Sequence, residues 1–225
     1  MFTKKGRNKS YVIRSGRMTK LQERSLEELF PLYGIPFSEK ELDYSRIFER
    51  DRPVILEIGF GMGEATVEIA EGFRNYNFIG IEVHPPGVGK VLHEARRREL
   101  DNLRVVQYDA VSVIETMIPD ASLEGVHIFF PDPWPKKKHH KRRILNRDFS
   151  CLLSQKISPG GYLYVTTDWE DYAWSIVHTL SGIPELENEY EIFAPTQLWR
   201  PKTSFEKKGL RKNHLIREIL FRKKG

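Results

Sequence analysis

Five acidic residues stand where a carboxylate can do chemistry: Glu57, Glu82, Asp109, Asp132 and Asp168. Each falls at or near the end of a short apolar run, so each is carried to the end of a strand. Asp132 has the most telling neighbours. It lies in Phe129-Phe130-Pro131-Asp132-Pro133-Trp134-Pro135, with Lys136-Lys137-Lys138-His139-His140-Lys141-Arg142-Arg143 following at once. The prolines cannot extend a ladder, so the apolar run from Val126 stops beside a carboxylate, an indole and a block of cations. That is a composition for holding a flat base on a phosphate backbone. Asp132 between prolines also suits plain turn chemistry. His139 and His140 are adjacent rather than helically spaced and stand among cations, which argues against a metal site. Cys151, the single cysteine, sits on an apolar helical face and reads as packed rather than nucleophilic.

The elements that position these acids follow from periodicity. Strands are expected at Pro53–Ile58, Asn77–Ile81, Leu103–Tyr108, Val126–Phe130 and Tyr162–Thr166, the last entered through a turn at Pro159-Gly160-Gly161. Helices are expected at Glu64–Ala70, Gly87–Leu100, Val111–Met117, Leu145–Ile157 and Glu170–Leu180. Five alternations argue for a parallel sheet with helices on both faces, whose ligands bind outside the carboxyl ends of the strands. Tyr190–Phe193 and His214–Phe221 alternate like a final antiparallel pair. Upstream, Leu21, Leu26, Leu29 and Phe30 approximate one helical face. Residues 1–20 read as a basic arm, mobile over its first ten residues.

The chain of 225 residues suffices for one core, read as a single domain over 1–225. One cysteine excludes an internal disulfide framework and fits a reducing cytoplasm. No apolar run approaches the length of a membrane span. The net charge of +5 conceals an asymmetry: residues 1–20 and 136–147 each hold seven Lys/Arg and no acid, and residues 200–224 hold ten against two acids. Those stretches total +22 and leave −17 on the remainder. If they converge, they form one face for a polyanion, most simply nucleic acid.

Two nucleotide-type cofactors fit a strand, a glycine turn and an acid about 20 residues on. A dinucleotide wants G-x-G-x-x-G for its pyrophosphate. Here the glycines are Gly59, Gly61 and Gly63, and Glu64 opens the helix where the anion would sit. S-adenosylmethionine is cationic and suits an acidic crevice. In that case Glu57 attracts its amino-acid end, Glu82 accepts the ribose hydroxyls and Asp109 accepts the adenine amine. The residues favour the methyl donor while leaving the dinucleotide open.

Together Arg14-Ser15-Gly16-Arg17, Leu56-to-Gly63, Gly80-Ile81-Glu82-Val83-His84, Asp109-Ala110, Phe129-to-Arg143, Thr167-Asp168-Trp169 and Thr203-Ser204-Phe205-Glu206 resemble the bacterial tRNA (guanine-N7-)-methyltransferases. The glycine stretch is shared by many methyltransferases; the Pro-Asp-Pro-Trp segment with its basic tail is specific to this family. Because the likeness begins at Arg14, a removable transit peptide is not expected. The resemblance implies a Rossmann-like, doubly wound, mostly parallel seven-stranded sheet with an antiparallel C-terminal strand pair. It implies methylation of N7 of guanosine 46 in the tRNA variable loop, in the cytoplasm, by a monomer or homodimer. By position it assigns Glu57, Gly59, Gly61, Glu82, Asp109, Ala110 and Asp132 to the cofactor, with Asp132 also catalytic. It assigns Lys136, Asp168, Thr203, Ser204, Phe205 and Glu206 to the substrate, and Lys138, His139, His140, Lys141, Arg142 and Arg143 to RNA. Two other readings stay open: an exocyclic-amine methyltransferase, which usually shows Asp/Asn-Pro-Pro-aromatic, and an RNA-binding module without catalysis.

Overall fold

The structure, a computed structural model, describes residues 9–11, 17–203, 206 and 214–225. Two helices, α1 (Lys20–Tyr33) and α2 (Tyr44–Ile47), precede the sheet. A reciprocal cap starts α1: the Thr19 hydroxyl accepts from Gln22 N at 3.3 Å, while the Gln22 side chain accepts from Thr19 N at 2.9 Å. Leu26, Leu29 and Phe30 of α1 pack inward as their spacing predicts, whereas Leu21 stays exposed.

Alternation then follows the apolar pattern: β1 (Val54–Ile58), α3 (Glu64–Gly72), β2 (Asn77–Ile81), α4 (Pro85–Arg97), β3 (Leu103–Val106), α5 (Ala110–Thr116), β4 (Leu123–Phe129), α6 (Arg147–Lys156) and β5 (Ile157–Thr167). After α7 (Glu170–Ser181) come β6 (Leu186–Asn188) and β7 (Arg217–Lys223). The strand order is β3-β2-β1-β4-β5-β7-β6. Strands β1 to β5 are parallel, β7 is antiparallel to β5, and β6 is antiparallel to β7. Order reverses between β1 and β4, so their carboxyl ends splay helices apart and open a crevice.

Because side chains alternate across a strand, each strand feeds two cores. Leu56, Ile79, Val126 and Leu163 face the layer containing Val113, Leu153 and Ile176 of α5, α6 and α7. Ile55, Phe78, Val105 and Tyr164 face the layer containing Val67 and Val91 of α3 and α4. Helix α1 rides on α4, and Gly89 permits it, since an added Cβ would collide with the Gln22 carbonyl.

Two local expectations differ. Instead of turning at Pro159-Gly160-Gly161, the chain is already in β5 from Ile157, with a register shift opposite Leu123 and Gly125 and with Gly160 at φ +81°. A bulge absorbs the proline and glycines that read locally as a turn. The penultimate strand lies at Leu186–Asn188, not Tyr190–Phe193. The Asn188 side chain accepts from Tyr190 N at 3.3 Å and donates to the Ile192 carbonyl at 3.0 Å, closing a turn. Only Ala194 rejoins the sheet, bridging Glu218.

Candidate active site

The glycine turn after β1 is left-handed at all three glycines, with φ of +74°, +59° and +67° at Gly59, Gly61 and Gly63. It packs directly on α4: a Cβ on Gly87 would run into the Gly61 carbonyl oxygen. Glu82, just beyond β2, ties this turn to the next. Its carboxylate accepts from Gly61 N at 2.7 Å and from Val83 N and His84 N at 2.6 and 3.0 Å. Glu64 opens α3 and pairs with Lys90 at 2.7 Å, so a carboxylate occupies the helix entrance a pyrophosphate would need.

A crevice of about 240 Å³ opens above these turns, lined among others by Gly59, Glu82, His84, Tyr108, Ala110 and Asp132. No Lys or Arg among the described residues lines it. A cavity with two carboxylates and no cation fits a sulfonium and ammonium donor better than a polyphosphate. Glu57 sits behind the wall, 6% exposed, on the β1 face turned to α3. Burial pushes its carboxyl up to about 7; the Thr66 hydroxyl opposes this without reaching hydrogen-bond geometry, and the Glu82 charge adds to it. Asp109 uses Oδ1 to accept from both the amide and the hydroxyl of Ser112 at 3.0 Å, capping α5. Sequence reasoning missed Tyr108, 42% exposed and stacked on Phe37 at 3.9 Å, and His84, whose buried Nδ1 has no hydrogen-bond partner among the described residues. Both follow strand ends, which was the available signal.

Asp132 rests on a constrained arch. Phe130 and Trp134 have φ of +51° and +46°, a region bulky residues rarely adopt. Phe130 N is held by the Thr166 carbonyl at 2.9 Å. Arg143, though part of the cationic block, is 5% exposed and serves the arch: its Nε donates to the Pro133 carbonyl at 2.9 Å, Nη2 pairs with Asp171 at 2.5 Å, and the guanidinium lies over the Tyr172 ring at 4.7 Å. The remaining cations form a 3-10 turn, Lys137–Arg142, with Lys136, Lys138 and Lys141 exposed and His139 and His140 half-buried. The His139 ring packs edge-on to Trp134, and partial desolvation, then the Lys138 and Arg142 charges, lower its pKa.

Part of the N-terminal arm docks on the same turn. Trp134 Nε1 donates to the Ser10 carbonyl at 3.1 Å, Arg142 Nε donates to the Lys9 carbonyl at 3.0 Å, and Tyr11 lines the crevice. Two of the three basic stretches thus meet. Of the third stretch, residues 207–213 lie outside the described residues; at its described end Arg217 and Arg222 pair with Glu170 and Glu189, while Lys223 and Lys224 donate to the Ser154 and Pro184 carbonyls at 2.6 and 2.8 Å. Asp168, after β5, accepts from or pairs with His214 at 2.9 Å, and the N-cap of α7 is Trp169 rather than Asp168.

Glu206 is 3% exposed and grips Arg200 at 2.5 and 3.1 Å; Arg200 also pairs with Glu218 of β7 at 2.9 Å and donates Nε to the Tyr164 hydroxyl at 3.2 Å. Burial works against the Arg200 charge, but these carboxylates outweigh it and raise its pKa. Thr203 accepts from Glu206 N at 3.0 Å, so Thr203 and Glu206 form one anchored loop, with Arg200 5.8 Å from the ring of Phe129, a crevice residue. Ser204 and Phe205 lie outside the described residues.

A family model described as "Putative methyltransferase" matches residues 51–219. The chain is 49% identical over 216 residues to a tRNA (guanine-N(7)-)-methyltransferase of Nitrosospira multiformis, covering 96% of this chain and 94% of that protein. It is 48% identical to the protein of the same name from Nitrosomonas eutropha, covering 96% of each. Among solved structures, the 16S rRNA methyltransferase KamB superposes with a TM-score of 0.61 at 12% identity, over 83% of this chain and 95% of that one. A 16S rRNA (adenine(1408)-N(1))-methyltransferase from Catenulisporales acidiphilia, solved with its cosubstrate SAM, gives 0.57 at 12% identity, over 83% and 93%. At these identities the structures speak for a shared Rossmann-like fold.

Proposed function

Because this chain belongs to the tRNA (guanine-N7-)-methyltransferase family, we propose that it transfers a methyl group from S-adenosylmethionine to N7 of a guanosine in tRNA, at position 46 of the variable loop, in the cytoplasm, as a single domain. The observation that carries this reading is a crevice with no Lys or Arg among its described lining residues, whose acid Asp132 lies on the arch that runs on through Trp134 into the lysine-rich turn.

When bound, the donor supplies an electrophilic methyl group on a sulfonium. The protein's task is then placement. Glu82 holds the glycine turn and faces the ribose, and Glu57 gives the donor's ammonium a negative partner behind the wall. Guanine N7 has a lone pair and no proton, so Asp132 has no proton to abstract. It orients the base by accepting from N1–H or the exocyclic amine, and it stabilises positive charge as this moves onto the imidazole ring. Trp134 walls the base, while Lys136, Asp168 and Thr203 border the substrate and the buried Glu206, held by Arg200, anchors Thr203. Lys138, Lys141 and Arg142 reach phosphates, reading shape rather than sequence. In-line alignment of N7 and the methyl group contributes roughly 7–11 kcal/mol in well-oriented systems.

The test is incubation of unmodified tRNA with methyl-labelled S-adenosylmethionine, followed by chemical cleavage selective for N7-methylguanosine. Label with cleavage at position 46 supports the reading. Label on an exocyclic amine, or binding without transfer, refutes it.

A further inference from the structure

A second cavity, also of about 240 Å³, lies on the sheet face shared by β4, β5 and β7, away from the crevice. It exists because α3 and α4 shield only β3, β2 and β1 on this face, and the segment after β6 bends back over the remaining strands. Its lining includes the rings of Tyr76, Tyr190 and Trp199, the last with its centroid 5.9 Å from that of Phe73 and 5.4 Å from that of His127. Its floor is polar. Gly125 carries no side chain, and a Cβ there would meet the Tyr162 ring at 2.5 Å, so the Tyr162 phenol can lie across it to reach His127 Nε2 at 2.8 Å. His127 is 1% exposed and its Nδ1 has no hydrogen-bond partner among the described residues.

These features select a ligand. Aromatic walls stack on a planar ring irrespective of its substituents. The charges at the mouth, Arg222 and Glu189, are paired with each other, so the cavity presents no net charge to attract a phosphate or an ammonium. Burial pushes the imidazole of His127 down to about 3, so it is neutral and offers a hydrogen bond but no charge. An uncharged, planar ring with donors and acceptors on its edge matches both the walls and the floor.

We propose that this cavity binds a single nucleobase, stacked against Tyr190 and Trp199 above the His127–Tyr162 pair, as a site separate from the methyl-transfer crevice. The base comes either from a free nucleoside or from the bound RNA, and the two sources share the same recognition chemistry.

The experiment uses the full chain labelled with 5-fluorotryptophan, whose four tryptophans give separable fluorine resonances, with the crevice saturated by S-adenosylhomocysteine. Trp199→Phe assigns the Trp199 signal, and Trp134 reports on the catalytic arch. Adenosine and guanosine, each titrated to millimolar concentration, are expected to shift the Trp199 resonance saturably. Tyr190→Ala removes one stacking ring from a half-buried loop position and is expected to weaken that response at least about fivefold. His127→Phe should weaken it as well. Unmodified tRNA distinguishes the sources: a Trp199 shift with tRNA identifies a base of the RNA, and a shift with nucleosides alone identifies the free ligand. No Trp199 shift with either nucleoside or with tRNA overturns the proposal, whatever Trp134 does. A nucleoside response unchanged in Tyr190→Ala overturns it too.

Discussion

Arg200→Met is the substitution for which the structure allows a magnitude. The Arg200, Glu206 and Glu218 side chains are 1%, 4% and 2% exposed, so no water is available to replace the guanidinium. Its removal strands two carboxylates together in the interior, and the Tyr164 hydroxyl and Gln197 N remain as donors to Glu218 alone. Breaking a buried pair by deleting one partner costs about 3–5 kcal/mol. For a chain of this size each kcal/mol lowers Tm by about 2–4 °C, so the variant should melt roughly 6–20 °C below wild type in circular dichroism or calorimetry. Adding Glu206→Gln and Glu218→Gln to Arg200→Met leaves no buried charge in this cluster and should recover part of the loss. Methyl transfer should not recover with it, because Thr203, which borders the substrate, then lacks the anchor that Glu206 and Arg200 give it. Well below both melting points, S-adenosylmethionine affinity should stay within about twofold of wild type, since none of the three residues lines the crevice. A Tm loss under about 2 °C for Arg200→Met, or no recovery in the triple variant, would refute the argument that these charges are held only by each other.

Glu57 makes donor binding depend on pH. With its carboxyl near 7 in the ligand-free protein, it is protonated below that value, and binding a cation requires the ionised form. The Kd for S-adenosylmethionine should therefore rise about tenfold from pH 8 to pH 6 by calorimetry, with proton release on the acid side. Glu57→Gln should flatten the profile, and a slope that persists in that variant would refute the assignment to Glu57. Asp132→Ala should retain tRNA binding in a filter assay but lose about 100-fold or more in turnover, because only transition-state charge stabilisation and base orientation are removed; near-normal turnover would sink that role. Gly87→Ala forces a methyl group against the Gly61 backbone and should weaken donor affinity about tenfold with little loss of secondary structure.

Much of the architecture is legible in the residues because it depends on local periodicity. Apolar runs that alternate with helical stretches mark β1 to β5, and an acid falls at or near the end of each run. Glu82 and Asp132 could be placed on one crevice from this alone. The glycine spacing disfavoured a pyrophosphate turn, and Glu64 does stand at the entrance of α3, paired with Lys90.

Other features depend on partners far apart in the chain. Arg143 reads as one more cation in a block of eight basic or histidine residues, yet its contact with Asp171, 28 residues on, makes it a buried brace for the arch under Asp132. Glu206 reads as a substrate-facing carboxylate, but Arg200 and β7 draw it into the interior. The left-handed Phe130 and Trp134 carry no local signature, because neighbouring strands and Arg143 impose a conformation their own chemistry disfavours. The sequence by itself determined the alternating strands and helices of a parallel sheet and the acids at its edge, since these follow from side-chain period and strand length; the strand order, with its reversal between β1 and β4, was decided by packing. Only the tertiary structure decided which charges face a ligand and which brace the fold, because a long charged side chain goes wherever a distant partner and the exclusion of water make it most stable.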